Sequence, residues 1–164
     1  MGSSFCIVID TSVLHDDYEL AKAPLRELLN IAKLCGARVL LPRVVFDKHV
    51  SHFERDYQKY RSQTEAALDK LSQLPLVDVP DVHIPEVTVA YSDSLQVIAQ
   101  ERGIEFLDYP RVTHQNILRR FFQKRKPFGE KDTGYKDALI WETILELLPD
   151  PNVRVIFIDR KSVV

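Results

Sequence analysis

The chain has 164 residues, the length of one ordinary domain and too short for two. At 45% hydrophobic, 9% aromatic and 28% charged, it excludes a disordered, collagen-like or disulfide-scaffold protein. A net charge of −2 argues neither for nor against a nucleic-acid partner, so the placement of the charges has to decide. Two cysteines, Cys6 and Cys35, are too few for a metal cluster; apolar neighbours predict buried, reduced thiols in a cytoplasmic protein. No apolar stretch is long enough to span a membrane. The N-terminus has neither the basic region nor the apolar run of a signal peptide.

In chain order, Phe5-Cys6-Ile7-Val8-Ile9 is a continuous apolar, β-branched run, which predicts a strand buried on both faces and ending in Asp10-Thr11-Ser12. Leu25, Leu28, Leu29 and Ala32 keep helical spacing over 23–34, and Gly36 stands where a helix stop is expected. Arg38-Val39-Leu40-Leu41 predicts a second buried strand. Pro42 then opens a long helix with a stripe of Val50, Phe53, Tyr57, Tyr60, Thr64, Ala67, Leu71 and Leu74. Pro75, Pro80 and Pro85 break the next stretch. Ser92 or Asp93 can cap a helix running to Arg102 and Gly103, and 104–107 predicts a third strand. Thr113 can cap a helix through Phe122 ended by Pro127, and Asp132-Thr133 can cap the helix that carries Ala138, Leu139, Trp141 and Ile144. Residues 153–158 predict a last buried strand, ending in Asp159. Strands alternating with helices predict an α/β domain with a parallel sheet and no internal boundary.

Two apolar strands that each end in aspartate are the sharpest feature. In an open parallel sheet, ligands bind beyond the carboxyl ends of the strands, where the strand order reverses. Asp10 and Asp159 would project into that crevice, where their repulsion calls for a cation. Without clustered thiols or imidazoles the suited ion is hard, Mg²⁺ or Mn²⁺. Each aspartate alone reads equally as a helix cap or turn former. Asp47 and Asp137 stand in the first turns of helices and can face the same crevice, although isolated acids there are commonly held by the helix dipole. His49 and His52, three apart near Asp47, could ligate a metal but have no evident matching ligands. Trp141 reads as core. A dehalogenase-type phosphatase would carry a second aspartate where Ser12 stands, and Asp16-Asp17 lie too far past the strand for a receiver domain.

These four acids stand in an order that resembles the PIN-domain nucleases, in particular a branch with a basic-Pro-Phe and Gly-aromatic-x-Asp-Ala-Leu-Ile-Trp signature. The residues that carry the resemblance are Asp10-Thr11-Ser12-Val13-Leu14, Leu41-Pro42-Arg43-Val44-Val45-Phe46-Asp47, Lys124-Arg125-Lys126-Pro127-Phe128 and Gly134-Tyr135-Lys136-Asp137-Ala138-Leu139-Ile140-Trp141. The likeness spans residues 5 to 159. It implies a three-layer α/β/α fold around a central parallel sheet, and Mg²⁺- or Mn²⁺-dependent cleavage of phosphodiesters, usually in single-stranded RNA, with DNA as the other candidate. By position, Asp10 would be the central metal ligand and Asp137 the third acid. Asp47 stands where the family usually has Glu, and either Asp159 stands in for the fourth acid or that acid is absent. Thr11 or Ser12 would hydrogen-bond the first carboxylate or a bound water. The resemblance treats 1–164 as a single domain lacking the usual closing helix and edge strand.

Between Arg111 and Lys136, eight basic residues face only Glu130 and Asp132, a local net charge of +6. Arg119, Arg120, Lys124, Arg125, Lys126 and Lys136 are the expected phosphate contacts, with Phe121, Phe122, Phe128 and Tyr135 interleaved. Phe121 and Phe122 read equally as the core face of an amphipathic helix. The expectation is a cytoplasmic endoribonuclease. The alternative is a catalytically weak module of the same fold that binds RNA or a regulatory protein partner. Self-association into a homo-oligomer is a further expected partnership, and an Mg²⁺-dependent phosphatase is a third activity.

Overall fold

The computed structural model describes residues 4–75, 78–128 and 133–159. Four strands form one sheet: β1 (Ser4–Ile9), β2 (Arg38–Pro42), β3 (Ile104–Leu107) and β4 (Val153–Ile158). The helices are α1 (Ala23–Cys35), α2 (Arg43–Ser72), α3 (Thr88–Glu101), α4 (His114–Phe122) and α5 (Tyr135–Leu145). All pairings are parallel, in the order β3-β2-β1-β4, so helices must carry the chain back between strands. This is the expected three-layer α/β/α arrangement around a parallel sheet. The chain first builds outward from β1 through β2 to β3, then returns to add β4 on the opposite side of β1. The strand order therefore reverses between β1 and β4.

The core is the sheet's middle. Cys6, Ile7, Val8 and Ile9 of β1 and Val39, Leu40 and Leu41 of β2 are buried against Leu25 and Ala32 of α1, Phe46 of α2 and Leu95 and Ala99 of α3. A smaller apolar cluster of Ile117, Phe128 and Ala138, flanked by Phe121, ties α4 to α5. Gly36 (φ +63) closes α1 in the left-handed conformation, and the Thr113 side chain accepts from the Asn116 N–H at the start of α4. No helix is long and apolar enough to cross a membrane among the described residues.

Several elements differ from the sequence reading, each for a tertiary reason. Helix α3 begins at Thr88 rather than at Ser92 or Asp93. Its first turn is held by the Tyr91 ring, stacked on Phe53 of α2 at 3.6 Å and edge-on to Tyr18. Helix α5 has Gly134 (φ +113) at its N-cap rather than Asp132 or Thr133: Thr133 stands one residue earlier, and Asp132 lies outside the described residues. Strand β4 is not buried on both faces, because among the described residues it is the outermost strand of the sheet: Ile156 and Phe157 are exposed. Among the described residues, the α2 stripe meets other elements as far as Tyr57, whose hydroxyl donates to the Pro85 carbonyl. Beyond it Tyr60, Leu71 and Leu74 are exposed, so periodicity there does not report burial. Cys6 is buried as expected, but Cys35, the last residue of α1, is exposed.

Candidate active site

The β1 ladder runs one residue past the strand, where the Asp10 N–H donates to the Ile158 carbonyl at 3.1 Å. Backbone pairing thus carries Asp10 and Asp159 to the same end of adjacent strands. Ser12 then joins them. Its N–H donates to Asp10 Oδ2 (3.1 Å), forming an Asx turn, and its hydroxyl donates to Asp159 Oδ1 (2.8 Å). Thr11 takes no such part: it is buried, and among the described residues its Oγ1 has no hydrogen-bond partner. Of the two hydroxyl residues expected beside Asp10, Ser12 is therefore the one that orders the carboxylates.

These acids open onto a crevice of about 620 Å³ lined by Asp10, Lys48, Arg120, Lys126, Asp137 and Asp159, with Ile140, Trp141, Ile144 and Phe157 among its apolar walls. It lies where the strand order reverses, the expected place for a ligand in an open α/β sheet. Asp137, Ile140, Trp141 and Ile144 follow one another at helical spacing, so one face of α5 forms a wall of the crevice. Asp137 lies in the first turn of that helix, where the dipole favours its negative charge. On the other side of Asp159 lies a second cavity, lined by Val13, His15, Lys22 and Leu28.

Asp47 is not among the lining residues. Its carboxylate accepts from the Tyr109 hydroxyl (2.6 Å) and from Arg43 Nε (3.1 Å), beyond the end of β3. The hydrogen bond to Asp47, with burial, pushes the Tyr109 hydroxyl up to about 12. The reason is helix phase. Successive residues of a helix point roughly 100° apart, and Lys48, one position on, is the residue that faces the crevice. Sequence reasoning looked for acids and missed Lys48. Its only signal was its place beside a conspicuous aspartate.

The basic segment divides in the same way. Arg120 and Lys126 line the crevice, whereas Arg119, Lys124, Arg125 and Lys136 are exposed outside it. Arg120 is anchored, donating to Glu142 Oε1 (2.5 Å) and to the Lys126 carbonyl (3.3 Å), so that α4, α5 and the loop carrying Lys126 are held together. Phe121 packs edge-on against Phe128, while Phe122 is 75% exposed. Lys131, Glu130 and Asp132 lie outside the described residues. Neither His49 nor His52 is among the residues that line the crevice. His49 is buried against the Tyr18 ring, 5.4 Å between centroids, and burial holds the pKa of both His49 and His52 below the ordinary histidine value.

A family model described as a PIN domain matches residues 7–160. The chain belongs to the PIN domain family. No curated protein and no solved structure matches it. PIN domains are generally nucleases, typically dependent on Mg²⁺ or Mn²⁺. Among the described residues no three His, Cys, Asp or Glu side chains form a closed metal cluster. An open site asks for less, because Mg²⁺ commonly takes one or two carboxylates and completes its octahedron with waters and substrate phosphate oxygens. Asp10, Asp137 and Asp159, oxygen donors on one crevice, fit that demand.

Proposed function

We propose that this PIN domain hydrolyses phosphodiester bonds in single-stranded RNA, with Asp10, Asp137 and Asp159 as the acids that hold a divalent ion. The reading is carried by one observation: these carboxylates share the switch-point crevice with three cations, Lys48, Arg120 and Lys126. Acids alone would repel a phosphodiester, whereas a mixed lining can place the phosphate on its basic side with the acids alongside. Ser12 restrains Asp10 and Asp159, so neither carboxylate has to be ordered when substrate arrives. Arg120, tied to Glu142, has less charge to offer a phosphate than Lys48, and serves to position the Lys126 backbone. A divalent ion, when bound, neutralises charge in the transition state and activates the attacking water.

Asp10→Asn tests the reading, because the amide still accepts the Ser12 N–H and so preserves the turn. Mn²⁺-stimulated cleavage of single-stranded RNA is expected to fall to that of a protein-free control, with an unchanged thermal melt. A variant that cuts as fast as the parent would remove Asp10 from the site. Cleavage of single-stranded DNA alone would correct the substrate. The second reading, a PIN-fold module that binds RNA without cutting it, draws support from Lys48 in the crevice and Asp47 outside it. It predicts RNA binding by the parent without Mn²⁺-stimulated cleavage.

A further inference from the structure

Trp141 is the chain's only tryptophan, and it is not core: it is 45% exposed and lines the acid-bearing crevice. It stands one helical turn beyond Asp137, so its indole and that carboxylate share one face of α5, about 6 Å apart along the axis. Ile140 and Ile144, on the same face, are buried beneath it, and Phe157 of β4, 40% exposed, lines the crevice with it. Burying one flank of α5 while leaving a large aromatic open carries a hydration penalty that folding alone does not remove. Lys48, on the helix that packs against α5, lines the same crevice. Among the described residues no ion pair takes up its ammonium, in contrast to Arg120 and Arg43. An open π-surface and an ammonium that pairs with no carboxylate at contact distance among the described residues match, in one crevice, the two halves of a nucleotide: a flat base and a phosphate.

We propose that Trp141 and Lys48 form a nucleotide subsite, in which an unpaired base stacks on the Trp141 indole while the Lys48 ammonium contacts a phosphate of the same strand. The subsite selects single strands, because both faces of a base inside a duplex are already covered by its neighbours. It places a nucleotide within one helical turn of Asp137. The inference rests on the reading of the crevice as a site for single-stranded nucleic acid, and it does not require that the strand be cut.

The single tryptophan is its own reporter. With EDTA present, to hold any cleavage off, fluorescein-labelled octauridylate is titrated by anisotropy, and Trp141 emission is followed with the unlabelled oligomer. An abasic ribose-phosphate octamer is the comparison. Octauridylate is expected to quench Trp141, and the abasic oligomer to leave the emission unchanged. Trp141→Ala should weaken octauridylate binding about tenfold and Trp141→Phe much less, since stacking tolerates a change of ring but not its loss. Lys48→Ala should weaken both oligomers alike. The proposal is overturned if octauridylate saturates the protein without altering Trp141 emission, if Trp141→Ala binds as the parent does, or if the parent binds neither oligomer. Quenching in a parent that fails to cleave with Mn²⁺ sinks the nuclease reading and leaves the subsite standing. Cleavage without quenching does the reverse.

Discussion

Gly134 joins the fold to the site, and replacing it with alanine tests that link. It precedes α5, the helix that carries Asp137 and Trp141, and its φ of +113 is a conformation that residues with a Cβ rarely adopt. A Cβ built there falls 3.1 Å from the Pro127 carbonyl oxygen and 3.3 Å from its carbon, both backbone atoms that cannot swing aside as a side chain would. Backbone strain of about 1–3 kcal/mol and crowding of similar size give a loss of roughly 2–6 kcal/mol. A domain of this kind has only about 5–15 kcal/mol in all. Gly103 supplies the comparison, with a φ of +75 and nothing within 4 Å of an added Cβ. Gly103→Ala should therefore cost only the backbone term, about 1–2 kcal/mol. At about 2–4 °C per kcal/mol for a chain of this size, Gly134→Ala should lower the melting temperature by several degrees more than Gly103→Ala. Urea unfolding of the two variants side by side measures the difference. Relief of the contact should shift the Pro127 backbone, and Lys126 beside it, relative to Asp137, so Gly134→Ala should also weaken RNA binding. Equal losses in the two variants would refute the claim that α5 is seated against the Pro127 backbone.

Adjacent residues on the first turns of α2 should behave in opposite ways. Asp47→Asn is expected to leave RNA affinity and cleavage unchanged, because its carboxylate is engaged by Tyr109 and Arg43 outside the crevice. Lys48→Ala should weaken RNA binding and flatten its log-log salt dependence by about 0.7, the loss of one phosphate contact to a single strand. The buried histidine predicts a pH dependence. Burial lowers the His49 pKa in the folded protein, so below about 6.5 the unfolded chain binds a proton that the native one does not. Stability is then full above that pH and is lost as pH falls, by at most about 1.4 kcal/mol per pH unit for each such histidine. His49→Phe, which keeps the ring contact with Tyr18, should reduce this slope between pH 7 and 5.5 while His52 retains its share. A parent whose unfolding free energy is flat over that interval would contradict the burial of a neutral imidazole.

Hydrophobic runs and stop signals are local, and most elements were legible from them. The strands of residues 5–9, 38–41, 104–107 and 153–158 occur within a residue of their expected limits, and Gly36 and Thr113 end or begin helices as expected. The aspartates that follow β1 and β4 were legible for the same reason, since strand ends in a parallel sheet share one edge. The sequence by itself thus determined the α/β class, the PIN family and a pair of carboxylates at the switch point. Only the tertiary structure decided which neighbours face them. Whether Asp47 or Lys48 enters the crevice depends on the rotational phase of α2, which is set by Val44, Val45, Phe46 and His49 burying against the core. Whether Trp141 is core or open depends on β4 being the outermost strand among the described residues and on α5 presenting a flank to the crevice. Those are relations between distant segments, set by packing rather than by propensity. They turn a net charge of −2 into a crevice where acids, cations and an open indole meet.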